Sequence, residues 1–181
     1  MNIQFRKGPL APALAAAGGL AYAVEGAIVV RAPQPDHHWH ASGYAVEAAF
    51  IAALVATLPL PPFFQAAAGR VGVLASRVVQ LGFAAMLVSA VASLAAGETT
   101  LGPLFLLGVL AGVVGLLALT IGAIRRRTTG WWASPLAFVG LVASIALGDH
   151  GGGILMGLAW IAISIGFRER VDAVLPTVAR V

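Results

Sequence analysis

The stretch "LGPLFLLGVLAGVVGLLALTIGAIRRR", residues 101–127, decides the fold class. No charged residue lies between Leu101 and Ile124, and three arginines follow directly. A helix that crosses a bilayer needs about 20 consecutive apolar residues, because the hydrocarbon core offers no partner for an unpaired backbone group. The run is continuously apolar and does not alternate at period two, so it reads as a helix and not as a barrel strand. The arginines mark an end that resists translocation and stays on the cytoplasmic side.

Working outward, five more segments qualify, the last two only narrowly because they are short. The expected spans are 9–30, 44–62, 72–96, 101–124, 131–148 and 152–167, within a single membrane domain covering residues 1–181. The fold class is therefore all-α: a polytopic six-transmembrane-helix bundle. Pro59, Pro61 and Pro62 end the second span, and "GDHGGG" at 148–153 separates the last two as a turn. "MNIQFRKG" at 1–8 leads into a retained first span and not a cleaved leader. The tail "RERVDAVLPTVARV" at 168–181 reads as a short interfacial helix broken at Pro176. The two halves of the chain show no repeat beyond their apolar composition.

Composition agrees. The 181 residues are 60% hydrophobic and 10% charged, where an ordinary soluble domain carries about 25% charged residues. Mean hydropathy is +0.94. The partner this requires is the lipid bilayer. The net charge of +4 does not call for nucleic acid, because membrane orientation concentrates arginine on one side. With no cysteine, disulfides, thiolate metal sites and cysteine nucleophiles are excluded.

Orientation follows from the basic residues. With both termini inside, Arg6, Lys7, Arg70, Arg77, Arg125, Arg126, Arg127, Arg168, Arg170 and Arg180 fall on or near the cytoplasmic side, ten of the eleven in the chain. Arg31 alone falls outside. Trp131 and Trp132 then sit at the inner interface as an aromatic belt, and Trp39 sits outside.

The polar residues gather at the opposite end. "YAVE" occurs at 22–25 and again at 44–47, which places Tyr22, Glu25, Tyr44 and Glu47 around the first outer loop. That loop, "RAPQPDHHWHASG" at 31–43, holds Asp36, His37, His38 and His40, and the next outer turn but one holds Asp149 and His150. Glu25 lies about 8 Å below the outer end of its span at 1.5 Å per residue. An ionisable group at such depth normally faces protein or a water-filled cavity. Gly18, Tyr22, Glu25, Gly26 and Val29 share one helix face by their spacing.

Glu25, Glu47, Tyr22 and Tyr44 are the candidate ligand or proton site. His37, His38, His40, His150, Asp36 and Asp149 are the candidate ligands for a divalent metal, since neutral imidazoles with carboxylates suit zinc, nickel or copper. Each has a structural alternative. Glu47, three residues into the expected second span, can favour the positive end of the helix dipole. Glu25 can be bonded to Tyr44 as a fastening between spans. The histidine loop can be solvated sequence anchored by Trp39.

Other signals are structural. Arg77 suits snorkelling to headgroups, and Gln80 lies beside it. Gly108 with Gly112, and Gly153 with Gly157, have the spacing of close helix packing, within the bundle or against a helix-packing partner or a second copy of the chain. Ser76, Ser89, Ser93 and Ser144 join no Ser-His-Asp pattern, and no nucleotide-binding glycine motif is present.

The run at 101–127, the Trp131-Trp132 restart and "GGGILMGLAWIAISIGF" at 151–167 form an ordered set over about the last 80 residues. This ordering resembles small multi-span proteins of high-GC bacteria, which implies a bacterial inner membrane and no particular activity. Six spans in so short a chain also resemble the substrate-capturing subunits of energy-coupling vitamin importers. The leading expectation is a non-enzymatic membrane protein that binds a ligand, metal or proton at its outer face. The alternatives are a small transporter or importer subunit with Glu25 as the coupling carboxylate, and a membrane enzyme acting on lipid or quinone through Glu25, Glu47 and the histidines.

Overall fold

The computed structural model describes residues 10–32, 40–127 and 130–178; for Asp149 and residues 169–178 it describes the backbone alone. Seven helices account for nearly all of it: α1 (Leu10–Arg31), α2 (Ala41–Thr57), α3 (Gln65–Ala68), α4 (Arg70–Ala96), α5 (Gly102–Arg126), α6 (Ala133–Leu147) and α7 (Gly152–Val178). A 3-10 turn over Pro61–Phe64 leads into α3, and another over Gly148–His150 joins α6 to α7. No strand occurs among the described residues.

Three helices, α1, α4 and α5, are long and apolar enough to cross a membrane. The pair formed by α2 and Pro61–Ala68, bent by 45°, makes a fourth when counted as one broken span. α6 is shorter, at 15 residues, as is the apolar part of α7 at Gly152–Arg168. The outward surface fits this reading. Leu106, Leu107, Leu110 and Val114 on α5, and Leu74, Leu81 and Val88 on α4, are exposed. A soluble protein does not leave contiguous apolar surface of this extent to water; lipid tails accept it.

The helices close into a ring. α2 packs on α1, α1 on α7, α7 on α6, α6 on α5, α5 on α4, and α4 back on α2. The centre is filled by Trp160, Phe83, Leu54, Leu116, Leu119, Met156 and Ile163, all fully buried. Between apolar helices in lipid, close backbone approach supplies the packing energy, and small residues permit it. α1 and α7 meet this way through Gly19 against the Gly157 carbonyl and Gly26 against Ile154; a Cβ on Gly19 would lie 2.7 Å from that carbonyl oxygen. α4 and α5 meet through Gly82 and Gly108, each facing the other's carbonyl. Both small-residue pairs expected from the sequence, at 108–112 and 153–157, thus lie at helix contacts.

Two details differ from expectation. The segment expected as the second span, 44–62, is not one unbroken helix: α2 stops at Thr57, and the chain turns and re-enters helical geometry at Pro61, because proline is tolerated in a first helical turn, where its missing N–H is not needed. Gln80 stabilises the break by donating from Nε2 to the Leu58 carbonyl at 3.2 Å. Gln65 donates to Ser76 Oγ at 2.6 Å, and Phe64 lies against Trp160 and Phe167 with ring centroids 6.2 and 6.1 Å apart. Second, the tail is not a separate helix broken at Pro176. α7 continues to Val178, and Pro176 falls within its last turn, where one lost hydrogen bond does not interrupt anything downstream. The face shared by Gly18, Tyr22, Glu25, Gly26 and Val29 lies between two neighbours: Gly18 meets Thr57 and Ala53 of α2, whereas Gly26 meets α7.

Candidate functional site

α1 and α2 run antiparallel, and their contact is built outward from the middle of the bundle. Tyr22 is buried, with its ring edge-on to Phe50 at 6.1 Å. Its hydroxyl is hydrogen-bonded to Thr57. Thr57 Oγ1 itself donates to the Ala53 carbonyl at 2.8 Å, so the same oxygen accepts from Tyr22. This pair fastens α1 to α2. The Tyr44 hydroxyl lies against Gly97, the left-handed residue that ends α4.

Glu25 and Glu47 come next along the two helices, where α1 approaches its end and α2, α5 and α7 begin. Both are half-buried, and Glu25 lies within electrostatic reach of Glu47. The helix-dipole account of Glu47 weakens here. α2 begins at Ala41, so Glu47 is nearly two turns in, and the dipole acts within the first turn.

Both carboxylates line a cavity of about 250 Å³. Val46 and Phe50 of α2, Ser89 and Ser93 of α4, Thr99 and Thr100 of the α4–α5 loop, and Gly102 and Phe105 of α5 complete the wall. Ser93 and Thr100 are bonded twice over. The Thr100 N–H donates to Ser93 Oγ at 3.0 Å, and the Ser93 hydroxyl lies 3.3 Å from the Thr100 carbonyl. Ser89 Oγ donates to the carbonyls of Thr100 and Leu101 at 3.1 and 3.3 Å. The two serines thus tie the loop down over α4. The lining contains two carboxylates and, among the described residues, no basic side chain.

Comparison with protein-family models, with curated proteins and with solved structures finds no match.

The other expected ligands fall elsewhere. His40 precedes α2 and is exposed, and His150 is exposed on the α6–α7 turn; neither lines the cavity. Asp36, His37 and His38 lie outside the described residues, as does the side chain of Asp149. Among the described residues no group of three or more histidines and carboxylates is gathered for a metal ion. The sequence reading missed the other half of the wall: Phe50, Phe105, Ser89, Ser93, Thr99 and Thr100. One signal was available. Ser89 and Ser93 stand four apart, on one face of a helix that ends in "GETT" at 97–100.

Proposed function

We propose that the chain is a six-span protein of a bacterial inner membrane, with both termini in the cytoplasm, that binds a cationic ligand, a metal ion or a proton in the cavity between α1, α2, α4 and α5. One observation carries the binding reading: Glu25 and Glu47 face a single small, largely apolar cavity with no basic side chain among its described lining. Two like charges in such surroundings repel and are poorly solvated, so a cation or a shared proton is what lets both remain there. The six-span reading is supported by the closed ring, in which α6 packs against α7 and α7 supplies Met156, Trp160 and Ile163 to the centre. At 15 residues α6 is about 22 Å long, and a bilayer adjusts to so short a helix by thinning locally. The cytoplasmic termini are supported by the ten basic residues on one side.

Titration calorimetry of the protein in lipid nanodiscs, with sodium, magnesium, zinc and ammonium compounds, tests the binding reading. Heats from at least one cation should vanish in the Glu25→Gln/Glu47→Gln variant. Identical traces from the variant and the unaltered protein across the whole panel, together with identical melting at pH 5.5 and 7.5, would remove it.

Transport is a second reading, favoured by the 45° break between α2 and Pro61–Ala68. Discontinuous helices frequently flank transport sites. Uptake into proteoliposomes that depends on Glu25 separates transport from binding alone. The enzyme reading has less behind it, because His40 and His150 do not join the carboxylates at the cavity.

A further inference from the structure

We infer that the ligand of the cavity is an organic primary ammonium ion, a protonated amine on a compact apolar body. This rests on the cation-binding reading and narrows it. Phe50 and Phe105 both line the cavity, with ring centroids 6.0 Å apart and planes inclined at 51°. An aromatic face attracts a cation placed within about 6 Å of its centroid, and the rings also remove the ligand's carbon skeleton from water. A metal ion has no carbon skeleton for them to shield.

The donor set disfavours calcium and zinc for a separate reason. Calcium takes roughly six to eight oxygen ligands, and two carboxylates offer at most four oxygens. Zinc prefers imidazole or thiolate in a tetrahedral set, and no imidazole lines the cavity among the described residues. The Ser89 and Ser93 hydroxyl hydrogens are directed to the carbonyls of the 100–101 segment. A primary ammonium group instead carries three donors, as a lysine head does, and can bond both Glu25 and Glu47 at once. The size agrees: about 250 Å³ is below the roughly 300 Å³ at which sites for drug-sized ligands begin.

The test uses the full chain in nanodiscs at pH 7 and follows binding by calorimetry. Cyclohexylammonium is the probe, cyclohexanol its neutral counterpart, and zinc and magnesium chloride the inorganic comparators. Cyclohexylammonium should bind at least about tenfold more tightly than cyclohexanol, the factor that 1.4 kcal/mol represents. Glu25→Gln/Glu47→Gln should abolish that binding, and Phe105→Leu, a mild change at a partly exposed position, should weaken it about three- to tenfold while the melting temperature holds. Glutamate-dependent binding of zinc or magnesium without cyclohexylammonium would overturn the inference and leave the cation-binding reading standing. Equal affinity for cyclohexylammonium and cyclohexanol would overturn it too, by showing that charge is not recognised. Silence from every cation would remove the inference and the broader reading together.

Discussion

A carboxylate oxygen of Glu25 occupies the place where a side chain at Gly153 would have to begin. Glu25 lies on α1 and Gly153 is the second residue of α7, so the candidate site is set by a backbone contact between two helices far apart in sequence. The glycine does two things here. It lets α7 approach the Tyr22 carbonyl, 2.8 Å from where a Cβ would sit, and it leaves room for the carboxylate.

Gly153→Ala should therefore act on stability and on the site together. The new methyl would meet backbone at Tyr22 and Gly26, which cannot move aside as a flexible side chain can. Overpacking of this kind costs about 1–3 kcal/mol. A melting temperature equal to that of the unaltered protein would mean that α1 and α7 are not so closely apposed.

The pair Gly108 and Gly112 gives a sharper comparison, since the two share one motif. A Cβ at Gly108 would lie 2.7 Å from the Gly82 carbonyl, whereas at Gly112 the nearest atom is a Leu141 methyl at 3.5 Å, an ordinary contact. Gly108→Ala should lower the melting temperature, and Gly112→Ala should leave it unchanged or raise it, because alanine favours helix by about 1 kcal/mol over glycine. Equal effects at both positions would contradict this packing of α4 on α5.

Tyr22→Phe removes a buried hydroxyl and keeps the ring against Phe50. Thr57 retains its bond to Ala53, so no buried group is left unpaired, and the loss should be about 1 kcal/mol. Tyr22→Ala should cost several times more, since it leaves a cavity beside Phe50. Denaturation in mild detergent distinguishes the two. A phenylalanine variant as unstable as the alanine variant would mean that the hydroxyl, and not the ring, holds α1 to α2.

Helix existence was legible in the sequence, and neighbours were not. Apolar length fixed α1, α4 and α5 within two or three residues, because the requirement to pair every backbone group in lipid acts along one helix at a time. The restart of helix at Pro61 after α2 was hidden, since three prolines in four residues read as a stop. The site was half visible. Glu25 and Glu47 stand out in any apolar chain, but Phe50 and Phe105 look like lipid-facing residues until their rings are seen to meet, 6.0 Å apart, at the cavity. Gln80, which the sequence shows only as a neighbour of Arg77, bonds the Leu58 carbonyl.

Topology is open to a direct check. Reporter fusions after Arg127 should give a cytoplasmic signal, and fusions after Thr99 and His150 an external one. This follows from the proposed six-span ring and from the arginines at 125–127. An external signal after Arg127 would invert the bundle and place the cavity on the cytoplasmic side.

Leu101 closes the loop over the cavity in a conformation that leucine rarely adopts, with φ 51° and ψ 33°. A left-handed residue other than glycine costs roughly 1–2 kcal/mol. The bonds from Ser89 to the carbonyls of residues 100 and 101, and between Ser93 and Thr100, hold the backbone there. Leu101→Gly should remove that strain. The gain is offset by the extra freedom of glycine in the unfolded chain, about 0.5–1 kcal/mol, so the variant should be neutral or slightly more stable. Leu106→Gly is the control: Leu106 is exposed in the first turns of α5 with ordinary helical geometry, and glycine there should cost about 1 kcal/mol. Ser93→Ala should weaken the same loop by about 1–3 kcal/mol, because it leaves the Thr100 N–H without its acceptor. Melting curves of the three variants side by side decide the matter. Should Leu101→Gly fall as far as Leu106→Gly, the left-handed turn over the cavity is not strained, and the serines are not what hold it.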